Sequence, residues 1–180
     1  WVMKKKKTNI KDLFILQGKK FTDQRGWLRE IFKKSNFNKN MSLSITSKSK
    51  KNVLRGLHLQ TKKSQDKIIT CLKGKILDVA VDLRKNSKTY GKHYKTIISE
   101  KNSKSFFIPK GFAHGFLALD RENIVHYTCS DYRDPKSEIS IKWNDVDLKI
   151  NWGLKKPIIS KRDKFAISFK DFRKNNRWKK

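Results

Sequence analysis

Short apolar runs recur along this chain at a spacing of roughly ten residues, each bounded by turn-forming or charged residues. They fall at 12–17, 27–32, 41–47, 53–60, 67–72, 76–83, 94–99, 105–108, 113–119, 124–130 and 139–143. Lys73-Gly74-Lys75 reads as a hairpin turn between two of them, residues 21–26 as another turn, and 48–52 and 61–66 as loops. Many short strands with turn chemistry between them fold into a sandwich or a closed barrel. Helix is minor: one turn within 36–40 and a short segment over 160–165. The expectation is an all-β barrel with a few short helices near the termini.

One run does not fit a simple core strand. Val53-Leu54-Arg55-Gly56-Leu57-His58-Leu59-Gln60 is apolar at most positions yet carries a cation and an imidazole. Buried strands are normally runs of Val, Ile and Leu, so both residues need a reason to be there. Strict alternation puts Arg55 and His58 on opposite faces. Gly56 lies between them, where a bulge or a close backbone approach would turn both toward one cavity. A core histidine satisfied by a neighbour, with an arginine leaving at the strand end, is an equal reading of this stretch alone.

Length and charge bound the rest. A chain of 180 residues is most simply one domain, 1–180, with a basic N-terminal extension over 1–11 and a basic C-terminal tail over 170–180. No low-complexity tract or internal repeat interrupts it, and no apolar segment approaches the ~20 residues that span a bilayer. The lysines after Met3 are followed by no hydrophobic region, so a secretory signal is not expected; Trp1 and Val2 read as an upstream start or an added remnant. Cys71 and Cys129 sit in apolar runs with no metal-ligand spacing, which suits buried thiols in a reducing cytoplasm. The formal net charge is +29. Its lysines are scattered through turns and exposed strand positions, without zinc-finger spacing, basic zipper or RNA-recognition motif, so a specific nucleic-acid partner is not expected. An anionic substrate such as a nucleotide diphosphate is favoured.

Further polar groups enter the later apolar runs: Lys67, Asp78 and Asp82, His114, and Tyr127. Each alone has a bland reading, as a solvated strand end, a hydrogen-bonded barrel acid or an edge aromatic. Together on successive strands they point to the lumen or mouth of the barrel, a usual ligand site. Pro109-x-Gly111-x-x-His114 resembles the second motif of cupin barrels, and His58 followed by Gly74 resembles the first. Metal-binding cupins carry His-x-His there, whereas this chain has His58-Leu59-Gln60. One imidazole beside a glutamine is a poor divalent site, so no metal and no cofactor are expected.

VLRGLH, GKILDVAVDLRKNSKTYGK, FFIPKGFAHGFLAL and the Asp-Pro after Asp131-Tyr132 are similar to the dTDP-4-dehydrorhamnose 3,5-epimerase family, from about Phe21 to Asp163. The resemblance implies a cupin-like jelly roll, a homodimer, and cofactor-independent epimerisation of a nucleotide-linked 4-keto-6-deoxyhexose. It implies His58 as base, Asp163 as its acid partner, Lys67 facing the C4 oxygen and Tyr127 as the acid on the other ring face. Arg55 matches a diphosphate-binding arginine and Arg25 one offered to the neighbouring subunit. Asp78 and His114 match a supporting polar pair beneath the base, and Gln60 and Arg133 fall among the substrate-binding positions. Leu43-Ser44-Ile45-Thr46 stands where the family commonly has Gln-Asp-Asn-His, Arg133 where it has a tyrosine, and Leu59 where it has an aromatic; these departures bear on sugar and base. A single-carbon epimerase, a ketoisomerase on a related nucleotide sugar, a non-catalytic sugar-nucleotide-binding barrel and a basic nucleic-acid binder are the competing readings. No membrane partner is expected.

Overall fold

The computed structural model describes residues 3–37 and 39–175. Thirteen strands run in chain order: β1 Lys4–Lys7, β2 Phe14–Gln17, β3 Lys20–Asp23, β4 Gly26–Arg29, β5 Leu43–Lys50, β6 Leu54–Gln60 and β7 Lys67–Lys73. They continue as β8 Lys75–Asp82, β9 His93–Ser99, β10 Lys104–Ile108, β11 Phe112–Ala118, β12 Glu122–Cys129 and β13 Glu138–Ser140. Two short helices follow, α1 Lys161–Lys164 and α2 Phe169–Asn175, and a 3-10 turn covers Lys34–Asn36. The all-β expectation holds, but both α-helices lie toward the C-terminal end.

Two antiparallel sheets build the jelly roll, one in the order β1-β2-β10-β7-β12-β5 and the other β13-β6-β11-β8-β9. Ile69, Cys71, Ile76, Ala80, Ile98, Phe106, Phe116 and Val125 pack between them and fill one half of the lumen. A second cluster covers the outer face of the smaller sheet: Leu54, Leu57 and Leu59 meet Leu148, Trp152, Phe169 and Phe172 from the C-terminal segment. Met3, Leu16, Phe37, Ile68 and Phe107 cover part of the larger sheet's outer face. The lumen beside β5 and β6 is left unfilled, and the polar strand residues collect there.

Several boundaries differ from the sequence reading. Residues 21–26 are not simply a turn. Lys20–Asp23 pairs with Gly26–Arg29 as a two-stranded hairpin outside both sheets, closed by Gln24 and Arg25. The N-terminal 1–11 segment is no appendage: β1 pairs along β2, and Met3 and Ile10 are buried. Backbone pairing is indifferent to side-chain charge at an edge, and exposed lysines there guard the strand against further pairing. Likewise 170–175 is not tail but part of α2, held by buried Phe169 and Phe172; Trp1, Val2 and 176–180 lie outside the described residues. Strand β5 runs on to Lys50, into the segment read as a loop.

Candidate active site

Gly56 decides how β6 presents its side chains. In the register with β11, His58 faces His114 and Arg55 faces Phe116, so one residue of β11 opposes two of β6. This is a bulge. Gly56 sits at φ 130°, and a Cβ built there would lie 2.5 Å from Gly115 Cα and 2.8 Å from the His114 carbonyl. Only glycine tolerates both that backbone angle and that approach. Leu54, Leu57 and Leu59 therefore face the outer core. Arg55 and His58 both line the lumen.

A cavity of about 550 Å³ opens there, walled by β5, β6, β7, β12 and the returning segment 158–163. It brings together Arg55, His58, Gln60, Lys67, His114, Tyr127, Arg133 and Asp163. Asp78 lies one layer behind, hydrogen-bonded through Oδ1 to His114 Nε2, with Oδ2 unpartnered among the described residues. Arg25 is not brought to the cavity: it is exposed at the hairpin tip, its guanidinium on Asp23.

Asp163 is 105 residues from His58 and reaches it by a short route through backbone pairing. The Ile158 N–H donates to the Asn52 carbonyl and the Leu54 N–H to the Ile158 carbonyl, which pins the returning segment against the start of β6. Ser160 then caps α1. Its hydroxyl accepts the Asp163 N–H at 3.1 Å and donates to Asp163 Oδ2 at 3.0 Å, an N-cap that also holds the carboxylate. The other carboxylate oxygen, Oδ1, meets His58 Nε2 at 2.6 Å. Burial pushes the Asp163 carboxyl up, but the His58 ring, the Ser160 hydroxyl and the Gly56 N–H outweigh it and hold the group below its usual value.

Across the lumen, burial lowers the Lys67 ammonium, opposed by Cys129, Glu138 and Asp78. Lys67 makes no ion pair among the described residues. Burial also pushes the Tyr127 phenol well up, so it stays protonated at any physiological pH. Its ring stands edge-on to His114, with centroids 6.1 Å apart.

Gln60, in the cavity wall, also ties down the neighbouring loop. Its amide donates to the Lys63 and Tyr132 carbonyls and its oxygen accepts the Asp134 N–H, so it orders the loop that carries Arg133. Leu59 is no wall residue but part of the outer core, 2% exposed, because strand alternation sets it on the opposite face from His58. Leu43, Ile45 and Arg133, the other departures, do line the cavity. Among the wall residues outside the expected set are Gln65, Glu138, Ser160 and Arg162. Glu138 accepts from Arg133 at 2.9 Å and Arg162 at 2.5 Å. Its sequence signal is weak, an acid opening a short strand; Ser160-x-x-Asp163 is a readable cap pattern.

A histidine–carboxylate dyad, a protonated phenol and an ammonium thus face one small cavity. No group of three or more His, Cys, Asp or Glu among the described residues could hold a metal ion. Such a set suits proton transfer beside a carbonyl.

Residues 7–171 match the family described as dTDP-4-dehydrorhamnose 3,5-epimerase. The enzyme of that name from Methanothermobacter thermautotrophicus is 42% identical over 178 residues, with 94% of each chain covered. That from Salmonella typhimurium is 40% identical, covering 89% of this chain and 92% of its own. Among solved structures, the enzyme from Elizabethkingia anophelis superposes with a TM-score of 0.88 at 41% identity, covering 94% of this chain and 97% of its own. One from Legionella pneumophila, in complex with dTDP-4-keto-L-rhamnose, gives 0.89 at 37% identity and 93% of both chains. With its cupin-like jelly roll, the chain belongs to the dTDP-4-dehydrorhamnose 3,5-epimerase family.

Proposed function

We propose that the protein inverts C3 and C5 of dTDP-4-dehydro-6-deoxyglucose, giving dTDP-4-dehydrorhamnose for deoxysugar synthesis. The observation that carries this reading is the His58–Asp163 dyad in one cavity with Lys67 and Tyr127. His58 takes the proton beside the C4 ketone, and Asp163 orients the ring and stabilises its charged form. Lys67 donates to the developing enolate oxygen, where loss of one such donor costs about 3 kcal/mol of barrier. Tyr127, kept protonated, returns a proton from the opposite face. Arg55 takes the diphosphate, and Arg133 stands at the base end. His114, backed by Asp78, supports Tyr127 from behind. Two buried, unpaired thiols suit a cytoplasmic enzyme.

Incubation with dTDP-4-keto-6-deoxyglucose in heavy water, after dialysis against a strong chelator, tests the reading. Deuterium is expected at C3 and C5 of an inverted product, at undiminished rate. Exchange at neither carbon would overturn it. Exchange at one carbon would place the protein with single-carbon enzymes; a 3'-monoepimerase from Streptomyces bikiniensis, 25% identical, shares the fold with a TM-score of 0.89. Activity lost to the chelator and restored by a divalent ion would defeat cofactor independence.

A second copy completes the site in this reading. The β3–β4 hairpin stands apart from both sheets with Trp27 45% and Leu28 61% exposed, and Arg25 lies at its tip. Docked on a partner, the hairpin supplies Arg25 to that partner's diphosphate. Arg25→Ala should raise KM far more than it lowers kcat, as lost uniform binding does. A fully active monomer in sedimentation would contradict this.

A further inference from the structure

Turns between β5 and β6, β7 and β8, β9 and β10, and β11 and β12 meet at one end of the barrel and line a groove of about 1260 Å³. Seven cationic side chains against three carboxylates line it, a surplus of four. Glu122 is neutralised by Lys48 and Lys73 at 2.6 Å each, and Lys75 stands 4.0 Å from Asp120. Lys50, Lys51, Lys101 and Arg121 are exposed and make no ion pair among the described residues. Glu100 makes no ion pair among the described residues either, so these groups leave a net three positive charges and the two lysines on Glu122 supply the fourth.

The groove adjoins the catalytic cavity. Ile158, 57% exposed, lines both. Arg55 reaches across the junction from the cavity side: its Nε donates to Ser49 Oγ at 3.1 Å and its Nη2 to the Lys48 carbonyl at 3.2 Å, and Lys48 and Ser49 wall the groove. A concave surface with an excess of one sign focuses its field and raises the local concentration of an opposite charge. The reach of that field is about 30 Å at 0.01 M salt and about 10 Å at 0.1 M.

We propose that this groove is an electrostatic funnel, which gathers the diphosphate of the nucleotide sugar and passes it by Ile158 to Arg55. The proposal rests on the nucleotide-diphosphate substrate named above. It assigns Lys50, Lys51, Lys101 and Arg121 to capture and not to holding the bound ligand. They act on the association rate.

Stopped-flow binding of dTDP to the full chain tests it, comparing wild type with the fourfold Lys50→Gln, Lys51→Gln, Lys101→Gln, Arg121→Gln variant. The association rate constant should fall about tenfold at low ionic strength, within the range steering supplies, and the dissociation rate should not change. At about 0.5 M salt, where the field is screened within a few ångströms, the two proteins should converge. Lys50→Arg, Lys51→Arg, Lys101→Arg keeps the charge and should keep the wild-type rate, which separates charge from damage to the turns. Equal association rates at low salt would overturn the funnel. A change confined to dissociation would overturn it too, since the four residues would then be ligand contacts. Steered dTDP binding with no exchange in heavy water would sink the epimerase reading and leave the funnel standing; a wild type that does not bind dTDP would end both.

Discussion

Replacing His58 with Asn should abolish solvent deuterium entry at both C3 and C5, whereas Tyr127→Phe should leave exchange at one carbon at least. The asymmetry follows from the two sides of the cavity. His58 Nε2 is held at 2.6 Å by Asp163, itself fixed by the Ser160 cap, so the ring is oriented and its charged form has a waiting counter-charge. Removing the base costs about two to four orders of magnitude. Tyr127 faces the lumen from β12, and burial keeps its proton on. Without it the enolate still forms against Lys67 and is reprotonated from its original face. Inversion, most of all at C5, is what should suffer. Deuterium incorporation read by mass spectrometry beside product configuration by NMR separates the two. If Tyr127→Phe removed exchange as fully as His58→Asn, the separate acid role would be wrong, and Tyr127 would belong to the substrate-binding wall.

Gly56→Ala should be among the most damaging single changes outside the reacting groups. The new methyl would meet Gly115 Cα at 2.5 Å and the His114 carbonyl at 2.8 Å, both backbone, so no side chain can swing aside. The residue would also be held at a φ of 130°. That conformation alone costs about 1–3 kcal/mol in a non-glycine residue. Parting β6 from β11 adds to it, because the two strands share a core of Leu54, Leu57, Ala113 and Leu117. For a domain of this size each kcal/mol lowers Tm by about 2–4 °C, so a fall on the order of 10 °C is expected. Activity should fall further than stability, since His58 and His114 are register partners across the strained pair. Gly26→Ala is the control. Gly26 has a similar φ of 128° but nothing within 4 Å of its added Cβ, so only the conformational cost applies. Equal effects of the two substitutions on Tm, or a Gly56→Ala protein with wild-type turnover, would show that the close approach does not set the site.

Much of the barrel was legible because its information is local. Apolar runs and turn residues marked the strands from β6 to β12 to within a residue or two, since a short apolar run between turns needs nothing beyond neighbouring residues. Charge misled at both ends. The lysines of β1 and the basic residues around α2 read as solvated extensions, but an edge strand and an amphipathic helix place such side chains in water while Met3, Phe169 and Phe172 go inside. Of the β3–β4 hairpin, β4 overlaps the run read over 27–32, but β3 was taken into the 21–26 turn because it carries no buried face to pattern.

The chemistry of the cavity is written in residue types: an imidazole and a guanidinium in a strand with a glycine between them, and a lysine, a tyrosine and a second histidine in later strands. Motif resemblance added Asp163 and the family. How these groups meet depends on contacts between distant parts of the chain. The bulge at Gly56 lies where Gly115 approaches from another strand, and it brings Arg55 and His58 to one side. Asp163 reaches His58 through pairing of Ile158 with the start of β6, a contact that no local pattern encodes. Gln60 was drawn into ordering the Arg133 loop, and Arg25 was left outside its own cavity. Residue type and periodicity are properties of a few neighbouring positions, and a sequence states them directly. Which backbone comes within 3 Å of which is settled by sheet order and packing, and that belongs to the folded chain as a whole.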